Sequence, residues 1–230
     1  MIIWFLTACG PEPTATLFAD ITDQDGNIIS NPSIQVYDAK GDPYGDLIYG
    51  DSLGIFTADL PVEDTFYLVI KADGYETHSF TGKSGIGEIT TETGALWLRT
   101  PEIADAVRTQ FSACPTTEGS FVDGQARVYL DGFDDLPVTI TTATITVING
   151  SEEYSACYMP EIDPETGAET EAERTGESGE FAIFGLEPGL QQISLMTNMS
   201  GLQTEPYSYN IFVPEDGSVP KYPLLVPMPQ

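Results

Sequence analysis

Gly50-Asp51-Ser52-Leu53-Gly54-Ile55-Phe56-Thr57-Ala58-Asp59-Leu60-Pro61 and Gly176-Glu177-Ser178-Gly179-Glu180-Phe181-Ala182-Ile183-Phe184-Gly185-Leu186-Glu187-Pro188-Gly189 are variations on one phrase. Each is a Gly-containing turn, a strand that carries Phe, then Leu and Pro ahead of another strand. A glycine supplies the positive φ of a tight reversal at no steric cost. An inward Phe packs between two sheets, and the Leu-Pro corner redirects the chain. The same phrase in both halves predicts two similar β units, with Phe56 and Leu60 of the first matching Phe181 and Leu186 of the second.

The flanking sequence agrees. Thr16 to Ile21 alternates as a half-buried strand, with Leu17, Ala19 and Ile21 on one face. Asp25-Gly26-Asn27 is a turn. Strands are expected at Ser33–Asp38, at Thr65–Ile70 and around Leu96-Trp97-Leu98. In the second half they are expected at Ala126–Leu130, Val138–Ile148, Tyr154–Met159, Gln192–Met196, Tyr207–Val213 and Tyr222–Val226. Pro220, Pro223 and Pro227 cannot donate to a ladder, which assigns that last strand to a sheet edge. Between the halves, Pro101-Glu102 suits a helix start, and Ile103, Val107 and Phe111 recur at i, i+4 and i+8. One short helix is expected there. The fold class is therefore all-β: two tandem antiparallel β-sandwiches joined by a short helical linker. The divisions are 1–13 (signal remnant and tether), 14–100 (first sandwich), 101–118 (linker) and 119–230 (second sandwich).

Around the repeated phrase the chain resembles the carboxypeptidase regulatory-like domain, a transthyretin-like (prealbumin-like) β-sandwich. Asp25-Gly26-Asn27, Ile34-Gln35-Val36, Ala72-Asp73-Gly74-Tyr75 and Gly185-Leu186-Glu187-Pro188-Gly189 carry the likeness. The first unit departs from the pattern after Pro61, where Val62-Glu63-Asp64 replaces the expected Gly. The second holds an acidic insertion from Glu161 to Ala172. The resemblance implies a sandwich of about seven strands used as an appended or surface module, and no activity follows from it.

Leu6-Thr7-Ala8-Cys9 resembles the lipobox of bacterial lipoproteins. That resemblance implies cleavage before Cys9, acylation of its thiol and new amino terminus, and attachment to a membrane. Gly10 rather than Asp follows the Cys, which implies the outer membrane. Eight residues precede Cys9 and none is Lys or Arg, a departure from the usual signal. With Cys9 assigned to lipid, Cys114 and Cys157 remain. In an oxidising compartment they are expected as one disulfide, the alternative being two separate buried thiols.

Composition excludes more than it assigns. The 230 residues carry 36 Asp and Glu against 8 Lys and Arg, a net charge of −28. Nothing here replaces the counterions of a nucleic acid. A single histidine excludes multi-His metal sites, and no Gly-x-Ser-x-Gly elbow accompanies it. Asp20, Asp23 and Asp25 do not follow the EF-hand order and read as a hairpin turn, and the acids from Glu161 to Glu180 read as a solvated insertion. No catalytic residue, cofactor or metal is expected. Tyr44 and Tyr49 lie near turns, where an aromatic ring can stack on a sugar. The reading is a non-enzymatic, lipid-anchored protein of the bacterial cell envelope, structural or binding, with membrane, protein or polysaccharide at the cell surface as its partners. The alternative is a carbohydrate-binding accessory module.

Overall fold

A computed structural model describes residues 14–90, 96–112, 114, 118–128, 138–162, 165–167, 169–170, 172–197 and 206–226. Cys9 lies outside the described residues, as does part of the acidic insertion. The first half contributes β1 (Ala15–Ala19), β2 (Ile21–Asp23), β3 (Ser33–Tyr37), β4 (Ile48–Tyr49), β5 (Phe56–Leu60), β6 (Thr65–Lys71), β7 (Thr77–Lys83), β8 (Gly87–Thr90) and β9 (Leu96–Leu98). Helix α1 (Pro101–Gln110) follows. The second half contributes β10 (Ser120–Val128), β11 (Val138–Thr139), β12 (Ala143–Asn149), β13 (Glu152–Ser155), β14 (Cys157–Tyr158), β15 (Glu161–Ile162), β16 (Glu169–Thr170), β17 (Glu180–Leu186), β18 (Gly189–Thr197), β19 (Tyr207–Val213) and β20 (Gly217–Val226). Among the described residues the fold is all-β with one short helix.

The two halves share a topology. In the first, β5-β1-β8 faces β4-β3-β6-β7; in the second, β17-β10-β20 stands against β13-β12-β18-β19. The antiparallel hairpins are joined by parallel pairings in equivalent places, β1 with β8 and β10 with β20. The repeated phrase occupies equivalent strands, β5 and β17. Its turn glycines share a conformation, with φ of 72° at Gly54 and 71° at Gly179. Phe56, Leu60, Phe181 and Leu186 are all buried. They belong to separate apolar cores: one packs Leu17, Ile34, Phe56, Leu60 and Leu68, the other Val122, Ile145, Phe181, Ile193 and Ile211.

Glu63, within the Val62-Glu63-Asp64 stretch that replaces the expected glycine, adopts φ 54°, the left-handed region. An L side chain there costs about 1 kcal/mol or somewhat more. Glu63→Gly should therefore raise the unfolding free energy by roughly 1 kcal/mol, less the extra entropy of an unfolded Gly. Urea unfolding checks this, and a loss of stability would contradict it.

The halves do not meet through the helical linker alone. Strand β7, the edge of the first four-stranded sheet, pairs in parallel with β20, the edge of the second half's sheet: Gly217 lies opposite Thr77 and Ser218 opposite His78. One continuous sheet results, in the order β14-β17-β10-β20-β7-β6-β3-β4, with β11 beside β10. A Cβ on Gly217 would come within 2.2 Å of the Thr77 carbonyl oxygen, so this approach requires glycine. The edge position expected for the Tyr222 strand is thus corrected in part. β20 is interior at Gly217-Ser218, but beyond Ser218 its ladder partner among the described residues is β10 alone. Its register with β10 slips between the Gly124–Lys221 and Ala126–Leu224 pairs. Pro220 and Pro223 fall on this one-sided, bulged stretch, where a missing N–H is tolerated.

Faces as well as edges are shared. Tyr67 and Val69, on the outer face of β6, are covered by Phe212 of β19, and Tyr37 stacks on Phe212 with ring centroids 4.1 Å apart. β6 is therefore buried on both sides, which accounts for its unbroken apolar run. Helix α1 covers the outer face of β10 and β17 through Ala104, Val107 and Phe111, against Phe121, Ala182 and Phe184. Its buried stripe is Ala104-Val107-Phe111, rather than the expected Ile103-Val107-Phe111.

Candidate functional site

Two places gather functional side chains. The first is the seam. Arg99, just after β9, is 2% exposed and reaches Asp123 of β10, which is fully buried. The contact is a side-on fork: Nη1 donates to Oδ2 at 3.1 Å and Nη2 to Oδ1 at 3.0 Å. The guanidinium lies over the rings of Trp97 and Phe121, at 5.6 and 5.7 Å from their centroids. Arg108 of α1 covers Phe121 at 4.8 Å and donates to Glu76 Oε1 at 3.0 Å. Lys221 of β20 donates to Thr81 Oγ1 of β7 at 3.1 Å, and burial pulls its ammonium down to about 8. Three of the chain's eight cations thus tie the halves together.

His78 is fully buried at the same seam. Its Nδ1 lies 2.9 Å from the Trp97 carbonyl oxygen, which requires the tautomer with the proton on Nδ1. Burial foremost, and the nearby Arg99 charge, pull the imidazole down to about 3 from an ordinary 6.5. A nucleophile's base needs an accessible nitrogen near neutral pH, so this histidine serves packing. The folded state holds it neutral while the unfolded chain protonates it below pH 6.5. Its contribution is complete above 6.5 and is lost as pH falls towards 3, by about 1.4 kcal/mol per pH unit. His78→Gln, whose amide can still donate to Trp97, should lack this part of the slope. Denaturant unfolding from pH 7 to 4 measures the difference. Parallel curves for the two proteins would contradict the assignment.

The second place is a groove of about 600 Å³ at the β4 end of the continuous sheet. Register puts Tyr49 of β4 opposite Ser33 of β3, and Ser33 opposite Lys71 of β6, a row across three strands. The Ala72–Tyr75 turn and the Ile28–Asn31 segment close its sides. Tyr49 is 68% exposed and Ile28 54%. Tyr75, which also packs against the first core, forms another part of the lining. The walls are held by backbone bonds, Asn31 N–H to Asp51 O at 2.9 Å and Gly50 N–H to Pro32 O at 2.8 Å.

Of the sugar-contact pair expected from sequence, Tyr49 lines this groove and Tyr44 does not; the Tyr44 amide instead bonds to Val36 O at 2.9 Å. Lys71, Asp73 and Ile28 gave no local signal in sequence, since the sheet brings them together from separate strands. Asp23 accepts from the Asp25 and Asn27 amides at 2.9 and 2.8 Å, so its carboxylate closes its own turn. Among the described residues no group of three acids, His or Cys could hold a metal ion. Cys114 and Cys157 are joined by a disulfide with Cα atoms 5.9 Å apart, within the span such a bond allows.

A scan against protein-family models and a search of curated proteins return no match. Solved structures give loose likenesses. The TIE protein of Bacillus anthracis is 14% identical with a TM-score of 0.31, over 94% of this chain and 34% of that one, so the chain spans about a third of its length. GBS52, the minor pilin of Streptococcus agalactiae, is 11% identical with a TM-score of 0.32, over 93% of this chain and 94% of that one. A DUF3823 family protein from Bacteroides ovatus is 10% identical with a TM-score of 0.30, over 87% and 98%.

Proposed function

We propose that this chain is a non-enzymatic structural module of the bacterial cell envelope, of carboxypeptidase regulatory-like type, held at the outer membrane by a lipid on Cys9. The observation that carries the reading is the seam. Two sandwiches that share a sheet and bury an ion pair between them hold one fixed relation, as suits a spacer that presents a surface at a distance from a membrane. The one histidine is committed to packing: it lies buried with its Nδ1 proton on a carbonyl oxygen. The net charge of −28 suits an exposed, soluble surface. The Leu6-Thr7-Ala8-Cys9 stretch supplies the anchor.

Expression in a bacterial host with a palmitate analogue tests the anchor. The protein should take up label and partition into detergent, and Cys9→Ser should abolish both. Label that persists in Cys9→Ser, or a wild-type protein that never takes label, would overturn it.

A further inference from the structure

We propose that the groove bounded by Tyr49 and Tyr75 is a binding site for a neutral saccharide. The lining is mixed in the manner of ligand sites, with apolar surface beside a few convergent polar groups, and its volume of about 600 Å³ is of ligand size. Tyr49, on the edge strand β4, is largely exposed to solvent, as is Ile28 in the same lining.

The polar groups include both donors and acceptors. Ser33 Oγ donates to Lys71 O at 3.3 Å and keeps its acceptor lone pairs. Asn31, Lys71 and Asp73 are exposed around the same opening, and neither Lys71 nor Asp73 makes an ion pair among the described residues. A pyranose has the matching chemistry. Its C–H face is apolar and lies flat on an aromatic ring, while its rim of hydroxyls both donates and accepts. Charge decides between sugars. A chain of net charge −28 repels uronic acids and phosphorylated glycans, and one Lys71 beside Asp73 does not reverse that field. The walls are held before any ligand arrives, so little ordering opposes binding. The site stands independently of the anchor at Cys9.

Native gels that contain β-1,3-glucan, xylan, mannan or amylose test this on the full chain, with alginate as the anionic comparison. Migration should be retarded by at least one neutral polymer, with no dependence on added salt, and not by alginate. Tyr49→Ala should weaken that retardation by about tenfold or more, the scale of an aromatic anchor. Because Tyr49 is exposed, the variant should keep the wild-type melting temperature. Tyr44→Ala, outside the groove, should behave as wild type. Migration unaffected by every neutral polymer, retardation by alginate alone, or retardation that Tyr49→Ala leaves intact would each overturn the proposal.

Discussion

Arg99→Ala should destabilise the protein by about 3–5 kcal/mol, the cost of leaving one member of a buried ion pair without the charge that balances it. The Asp123 carboxylate would stay fully buried and lose the forked guanidinium that neutralises it. Trp97 and Phe121 would each lose the flat cation over its ring. Asp123→Ala should cost a similar amount, since Arg99 would then be the stranded charge. The double replacement Arg99→Met with Asp123→Leu removes both charges and keeps much of the volume. It should recover most of the loss, because an apolar pair of similar size is often as stable as a buried ion pair. Equilibrium unfolding in urea separates these cases. Near-additive losses in the double variant would show that the charges do not act as a pair.

Loss of the Cys114–Cys157 bond is the second large effect. The bond closes a loop with a sequence separation of 43, which in the chain-entropy view stabilises the fold by up to about 4 kcal/mol. It also has a local task. Cys114 lies four residues beyond the last residue of α1 and Cys157 begins β14, so the bond fixes the chain leaving the helix to the sheet that the helix covers, beside Phe111 and Phe184. The Cys114→Ser, Cys157→Ser double variant should melt well below wild type and admit protease first near residues 111–118. Wild type kept in reductant should match it. A reduced protein with an unchanged melting temperature would contradict this role.

What was legible in the sequence was whatever is local. Gly54 and Gly179 announce their turns because positive φ selects glycine, and Phe56 and Phe181 announce the strands that follow. The apolar run at Thr65–Ile70 announces a strand, though not that Phe212 covers its second face. The seam left no such mark. Arg99 and Asp123 are 24 residues apart and each reads as one charge beside a strand. Only the pairing of β7 with β20 turns them into a buried fork. The prolines of β20 marked a stretch paired on one side, with β10, but the same strand turns interior at Gly217, where close packing demands the residue without a side chain. The groove was half visible. Tyr44 and Tyr49 are alike in sequence, and it is the register of β4 on β3 that sets Tyr49 beside Ser33 and leaves Tyr44 outside. Lys71, Asp73 and Ile28 come to the same opening from other elements, a proximity no spacing along the chain records.

The central claim is that two sandwiches fold as one body through a shared sheet. Native-state hydrogen exchange in increasing denaturant tests it most directly, because it reads the opening free energy of each segment separately. The amides of Leu68–Ile70 in the first core, Ile193–Leu195 in the second and Gly217–Val219 at the seam should merge into a single unfolding isotherm. In Arg99→Ala the seam amides should separate from that isotherm and open at lower free energy. Wild-type protein whose two cores follow distinct isotherms, with the seam exchanging ahead of both, would contradict the account.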